Sequence, residues 1–251
     1  MYEAEFVIPI NNTIEKYRQR LLDFKRIGLM NIPPNKKIKV VLLAQKGTVS
    51  PKVTRGWPAN CDVMTQECGN DFHVFKLCNY YLKLQDLDSK WYCTVDDDSV
   101  TNVGGLLNSL SDYSHQKKVY LSTPYYYNDS GKTLEIRILE GLGLLGRLKG
   151  KWDHDWESHF ISRAAMKEIL ARPANKKYIR MRKQILDGYT DQFMSYAAKI
   201  AGITPIEAYF SSSQSEVDNF SLFGGKLDHI HYVAHDYKNI DVFKNWVNHN
   251  G

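Results

Sequence analysis

Three consecutive aspartates, Asp96, Asp97 and Asp98, stand directly after the apolar run Trp91–Val95 (WYCTV). Adjacent carboxylates repel, so crowding them is costly unless a cation or strong hydrogen-bond donors compensate. Hard divalent ions such as Mg²⁺ and Mn²⁺ accept carboxylate oxygens and leave coordination positions for phosphates. Asp runs are also common in solvated turns, and Asp98 could cap the helix expected after it. The buried character of WYCTV favours a metal–diphosphate site. A strand that ends in the cluster puts it at the carboxyl edge of a sheet, where open α/β sheets bind ligands.

Other residues could carry chemistry. In Trp152-Asp153-His154-Asp155-Trp156-Glu157, carboxylates lie between tryptophans. Indoles stack on the apolar faces of sugar rings while Asp or Glu accepts hydroxyl protons. That makes Asp155, Trp156 and Glu157 candidate sugar contacts; a surface turn with half-buried tryptophans is the alternative. Asp191 opens a helical segment, where the helix dipole alone favours a carboxylate. His229 and His231 are two apart, so on a strand they would share a face, and His235 follows closely. Gly141–Gly150 has neither GxGxxG nor GxxxxGK[ST] spacing, so a flexible flap or hairpin fits it better than a dinucleotide or Walker loop.

The elements that must position these residues are legible as periods. Glu5–Ile10, Ile38–Ala44, Trp91–Val95 and Val119–Ser122 read as buried strands, and Asp62–Thr65 as a short one. Ile14–Ile27, capped by Thr13, and Phe72–Leu84 have helical apolar spacing. Val103–Leu110 and Thr190–Ala201 also read as helices. Phe160–Leu170 holds a strand-to-helix transition. Ile206–Phe210 and Ile230–Val233 read as late strands, and the tail Asn239–Asn248 has Phe243 and Trp246 at helical spacing. The alternation predicts an open α/β sheet.

Composition narrows the classes. The chain has 251 residues, 43% hydrophobic and 24% charged, which excludes a disordered or collagenous chain and predicts one domain. No apolar run reaches the roughly 20 residues of a membrane span, and the start lacks a secretory pattern. A soluble, cytoplasmic protein is expected. A net charge of +5 is mild; it would attract an anion such as a nucleotide or an acidic lipid surface, without pointing to nucleic acid. The basic helix Ile14–Ile27 could touch an anionic membrane peripherally, an ordinary solvated face being the alternative. Cys61, Cys68, Cys78 and Cys93 form no CxxC pair, which predicts reduced, mostly buried thiols.

WYCTVDDDSVTNVGGLLNSL resembles the DxD region of fringe-type β1,3-glycosyltransferases: an aromatic-rich strand, three aspartates, then a helix. The resemblance continues in order through FHVFKLCNYYLKLQDLDSKW before it, and KKVYLSTP, HFISRAAMKEIL and GYTDQFMSYAAKIAGITPIEAYF after it. It covers about Phe72 to the C-terminus, with a gap over the Gly-rich stretch. It implies a GT-A fold, a Rossmann-like mixed, mainly parallel sheet flanked by helices. Residues 1–251 would form a single domain, with a nucleotide-sugar-binding half (1–123) and an acceptor and catalytic-base half (124–251).

On that resemblance, Mn²⁺ or Mg²⁺ would bind at Asp98 and Asp97, with Asp96 nearer the ribose or sugar. EFVIPINN is similar to the first nucleotide-binding strand of many GT-A enzymes, which makes Pro9, Asn11 and Asn12 donor-site candidates; a plain strand end is nearly as good a reading. Asp191 matches the second acid of the family's acidic pair, the catalytic base of an inverting transfer, while Thr190 replaces the first. Glu157–His159 stand where the family has glycines. Ser211–Ser213 stand where it has a metal-binding histidine. HYVAHDYK is similar to a late motif of other GT-A families, implying His231 on the metal, ahead of His235 and His229, and Lys238 on the diphosphate. The implied partners are a nucleotide-sugar, UDP by family habit, and a glycan, glycolipid or glycoprotein acceptor. Two other readings stay open: a sugar-phosphate nucleotidyltransferase, which would want a basic Gly-rich loop that Ile8–Thr13 lacks, and a non-catalytic GT-A-like binding protein.

Overall fold

Strand β1 (Tyr2–Pro9) is hydrophobic on both faces and lies at the middle of the molecule. The computed structural model describes residues 1–10, 29–45, 54–69, 73–97, 99–122, 141, 158–184, 190–208, 211–212 and 233–234. In chain order β1 is followed by β2 (Leu29–Met30), β3 (Ile38–Gln45), β4 (Cys61–Cys68), α1 (His73–Lys83), β5 (Ser89–Val95), β6 (Val100–Asn102), α2 (Val103–Leu110) and β7 (Tyr120–Ser122). Then come β8 (Ser158–Ser162), α3 (Arg163–Ala171), α4 (Pro173–Gln184), α5 (Thr190–Ile200), β9 (Ile206–Glu207), β10 (Ser211–Ser212) and β11 (Val233–Ala234).

Seven strands form the main sheet in the order β4-β3-β1-β5-β8-β7-β9. Every pairing is parallel except those of β8, which runs antiparallel to both β5 and β7. A mainly parallel sheet needs cover on both faces, and the side chains alternate accordingly. Phe6, Ile8, Val40, Leu42, Trp91 and Cys93 share a core with Val103, Leu106 and Leu110 of α2. Val7, Val41, Leu43 and Tyr92 point to the other face, into a core built with α1, α3, α4 and α5. A second sheet, β10-β11-β6-β2, is made of strands two or three residues long.

The expected mixed α/β class is what forms, and β3, β5, α1, α2 and α5 lie within a few residues of their expected spans. Three expectations need correction. β4 is a full eight-residue strand; as a sheet edge it buries only alternate positions partially, so its apolar signal is weak. Of the late strand expected at Ile206–Phe210, the described residues form only the two-residue β9, while β10 follows after Phe210 and belongs to the other sheet. Helix α4 was not expected, because it carries five cations and few apolar residues; Pro173 at its first position suits a helix start. The expected helix Ile14–Ile27, the Gly-rich stretch beyond Gly141 and the tail Asn239–Asn248 lie outside the described residues. Among the described residues no helix is long and apolar enough to cross a membrane.

One buried polar knot fastens the layers at the amino end of the sheet. Glu5 is fully buried in β1. The Tyr80 hydroxyl of α1 donates to its Oε1, Ser89 Oγ donates to Oε2 at 3.2 Å, and Lys39 Nζ of β3 lies 3.1 Å from Oε2. Lys39 also donates to Asp88 at 3.0 Å. Burial pushes the Glu5 carboxyl above its usual range, against the pull of Lys39. Burial lowers the Lys39 ammonium, but Glu5 and Asp88 together outweigh it and raise it. The four thiols are free, with Cys68, Cys78 and Cys93 buried and Cys61 partly so. Burial, then Asp62, pushes Cys61 up to about 11.

Lys39→Met removes the cation and leaves Glu5 buried without its charge partner. Breaking such a pair costs about 3–5 kcal/mol. A carboxyl whose folded pKa is raised is tolerated below its unfolded pKa and becomes a burden as pH rises through the folded value. The penalty, read by urea unfolding against the parent protein, is therefore expected to be small in acid and to grow towards neutral pH.

Candidate functional site

The order of the main sheet singles out one crevice. From β1 the chain crosses outward to β3 and β4, then returns to the other side of β1 as β5. The reversal falls between β1 and β5, and ligand crevices of open α/β sheets lie at the carboxyl ends flanking such a point. The β1–β5 ladder ends with Val7 against Thr94, two residues before Pro9 and Asp96. Pro9 closes β1 and Asp96 follows β5, so both lie at the carboxyl ends of the two strands that flank the crevice. Asp96 is partly exposed, while Asp97 is only 2% exposed. Asn11 and Asp98 lie outside the described residues.

Both sides of the crevice are tethered. Ile10 N donates to Leu43 O at 2.9 Å, holding the exit of β1 against β3. The ammonium of Lys76, fully buried on α1, donates to the Ile10 carbonyl. Lys76 stands off the apolar stripe of Val74, Leu77, Cys78 and Tyr81, so its spacing gave no sign of this role. After β5 the backbone turns tightly, with Ser99 N donating to Asp96 O at 3.1 Å, and enters β6. Ser99 Oγ and Thr101 Oγ1 are buried and have no hydrogen-bond partner among the described residues.

The helix after the aspartates is not capped by Asp98. Its N-cap is Asn102, whose side chain accepts from Gly105 N at 3.2 Å. Asn102 also accepts from Asn31 Nδ2 at 3.4 Å. Asn31 has φ 54°, in the left-handed region that Asn tolerates better than most residues. Its carbonyl comes so close to α2 that a Cβ on Gly104 would lie 2.8 Å from it. Gly104 is thus a glycine by contact.

The small sheet links the late chain to the acid-bearing segment. β6 starts two residues after Asp98 and pairs antiparallel with β11, Ala234 against Val100. β11 in turn pairs parallel with β10. In sequence β11 stands between His231 and His235, and β10 is the pair Ser211–Ser212. The side chains of His229, His231, His235 and Lys238 lie outside the described residues, as do those of Asp155, Trp156 and Glu157.

Helix α5 is tied to the same region by a buried relay. His159 of β8 pairs in register with Thr94, two residues before Asp96. Its Nδ1 lies 2.9 Å from the Tyr120 hydroxyl. That hydroxyl lies 2.9 Å from Ser195 Oγ. The phenol has one proton, so it donates to at most one of these two neighbours. The Tyr120 and His159 rings stack at 5.8 Å. Asp191 belongs to the first turn of α5, four residues before Ser195, which is about 6 Å of helix rise. Its side chain is outside the described residues. Nothing local to the sequence linked His159 to Tyr120 or Ser195.

The described donors at the crevice, Asp96 and Asp97, are oxygen ligands without a thiol, a chemistry that fits a hard divalent ion. Among the described residues no group of three or more His, Cys, Asp or Glu side chains gathers that could hold a metal.

Comparison with known proteins follows this geometry. Residues 52–135 match the model of the Fringe-like family. Over 49 residues the chain is 43% identical to a lunatic fringe β-1,3-N-acetylglucosaminyltransferase of Xenopus laevis, covering 20% of this chain and 13% of that one. A Bos taurus lunatic fringe is 41% identical over 49 residues, with 20% and 13% covered. The chain thus spans about an eighth of the length of these relatives. The family match takes in β4, α1, β5, the aspartates and α2, and ends before β8 and α5. Among solved structures, mouse xyloside xylosyltransferase 1 superposes with a TM-score of 0.54 at 7% identity, over 93% of this chain and 96% of that one. The galactosyltransferase LgtC gives 0.52 at 12%, over 94% and 87%. The fold is the GT-A fold of these glycosyltransferases.

Gly104→Ala should cost about 1–3 kcal/mol, because backbone must move to admit the methyl group. Chemical denaturation reads the loss. Gly105→Ala, one position along the same helix, serves as the comparison and is expected to cost less.

Proposed function

We propose that this chain is an inverting, metal-dependent glycosyltransferase that moves a sugar from a nucleotide-sugar, with UDP as the nucleotide, to a hydroxyl of a glycan, glycolipid or glycoprotein. The observation that carries the reading is the acid cluster at the switch point of a GT-A sheet, after the strand that pairs with β1. Residues 1–251 would act as one domain, its first half (1–123) holding the donor and its second (124–251) the acceptor.

In this reading Asp98, Asp97 and His231 hold Mn²⁺ or Mg²⁺. When bound, the ion supplies Lewis-acid stabilisation to the departing diphosphate. The β6–β11 pairing supports His231 as a ligand, since it joins the chain next to the aspartates to the chain next to that histidine. Pro9 and Asn11 contact the nucleoside, Asp96 the ribose or sugar, and Lys238 the diphosphate. Asp155, Trp156 and Glu157 receive a sugar ring. Asp191 takes the proton from the acceptor hydroxyl as its oxygen attacks the anomeric carbon and the bond to diphosphate breaks. The relay of His159, Tyr120 and Ser195 supports this role for Asp191 by fixing α5 against the strand beside β5.

A second reading rests on two departures from the resembled pattern. Serines occupy β10 where the family has its histidine, and Thr190 replaces the first acid of the pair. A partner protein that kept the fold and lost turnover would bind the nucleotide without consuming a donor.

The test is release of UDP from a panel of UDP-sugars with Mn²⁺, with UDP-N-acetylglucosamine first because the named relatives are N-acetylglucosaminyltransferases. Turnover is expected for the parent protein. Asp191→Asn should lower it by about 10²–10⁴-fold, the usual worth of a general base, while leaving nucleotide affinity unchanged. Undiminished turnover in Asp191→Asn would argue for a retaining route. Binding without any release would favour the partner protein.

A further inference from the structure

Helix α4 has an unusual composition for its place. Its twelve residues include Lys176, Lys177, Arg180, Arg182 and Lys183 and no carboxylate. Asn175, Tyr178, Ile179 and Arg182 face inward and are buried. Asn175 Nδ2 donates to Ile169 O at 3.0 Å and to Ala197 O at 2.9 Å, so the helix is held rigidly against α3 and α5. Lys176, Lys177 and Arg180 are exposed.

Elsewhere on the described surface, cations stand beside acids: Lys90 and Lys36 with Glu3, and Lys118 and Arg172 with Glu168. Among the described residues, no carboxylate lies within ion-pair distance of Lys176, Lys177 or Arg180. Lys183, one turn on from Arg180, holds its ammonium 4.9 Å from the centre of the Phe75 ring. Among the described residues, the face is a concentrated positive field without a neutralising acid.

A second feature adjoins it. A pocket of about 420 Å³ opens between α4, α3 and the end of α1. Leu82, Leu84, Leu170 and Ile179 line it together with Lys176 and Arg180. Those two cations are four residues apart, on one helix face. Tyr81 and Gln85 complete the lining, so the wall is part apolar and part polar; apolar surface beside two exposed cations matches a charged headgroup joined to a hydrocarbon segment. Hydrated polyanions would satisfy the cations but leave the aliphatic lining unused. Long basic side chains also suit an interface, because their stems cover apolar surface while their heads reach anions.

We propose that the exposed face of α4, with this pocket, docks the protein onto an anionic lipid surface. The proposal does not depend on the reaction assigned above. None of the residues at the acid-bearing crevice lines the pocket, so docking would leave that crevice open.

The test is sedimentation of the full chain with vesicles of phosphatidylcholine alone and of phosphatidylcholine mixed with phosphatidylserine. Binding is expected to the mixed vesicles only, weakening with added salt. The triple variant Lys176→Glu, Lys177→Glu, Arg180→Glu should bind at least roughly a hundredfold more weakly, at about fivefold for each cation lost near a charged membrane. Lys37→Glu, Arg55→Glu, Lys117→Glu changes the net charge equally at exposed sites elsewhere and should lose far less. Circular dichroism checks that both variants fold, and alanines at the three α4 positions replace the glutamates if the first does not. No binding to mixed vesicles would overturn the proposal. So would equal losses in the two triple variants, or α4-dependent binding to heparin with none to vesicles.

Discussion

The crevice depends on β5 being gripped from both sides, by β1 in parallel and by β8 in antiparallel pairing. A slip of one residue would turn every side chain of the strand to the opposite face. The two cores forbid that slip. Trp91, Cys93 and Val95 are committed to the face covered by α2, and Tyr92 to the face covered by the larger helix layer. Packing chosen by apolar residues therefore fixes the height at which Asp96 and Asp97 emerge from the sheet. The chemistry at the edge is set by residues that have no chemistry of their own.

Polar groups then secure what packing has placed. At the amino end, Glu5 and Lys39 join β1, β3, α1 and the start of β5 in one buried knot. Towards the carboxyl end, Lys76 holds the exit of β1, the Asn31–Asn102 contact holds the exit of β6, and the Tyr120–His159–Ser195 relay holds α5. Each is a group whose burial costs free energy unless a partner is present. Together they immobilise the chain on both sides of the aspartates. A rigid frame is what crowded carboxylates need if they are to be compensated by a cation instead of relaxing apart.

Much of this frame was legible in the sequence because it rests on long apolar signals. IKVVLLA and WYCTV are β-branched or aromatic runs that suit a sheet covered on both faces, and α1 repeats its apolar residues at helical spacing. What was not legible is decided by partners far along the chain. The strands β2, β6, β10 and β11 are too short to have a period and exist because they pair with one another. β4 was underestimated because an edge strand needs little apolar surface. Helix α4 was missed because its cations hide the few apolar residues that dock it. At the candidate site, Asp96 was read from the end of WYCTV and Pro9 from the resemblance of EFVIPINN to a GT-A strand, and both lie at strand ends. Lys76 and the relay were not legible, since a buried cation and three hydroxyl or ring groups reveal themselves only when strands and helices are assembled.

The most direct measurement is calorimetric titration of UDP, with GDP and CMP as controls, with and without Mn²⁺, on the parent protein and on Asp98→Ala. If the acid-bearing crevice binds a nucleotide diphosphate through a metal, UDP binding will require Mn²⁺ and will be lost in Asp98→Ala while the protein stays folded. Failure of the folded parent protein to bind any of these nucleotides would contradict the donor-site assignment. So would binding that is indifferent both to Mn²⁺ and to the substitution.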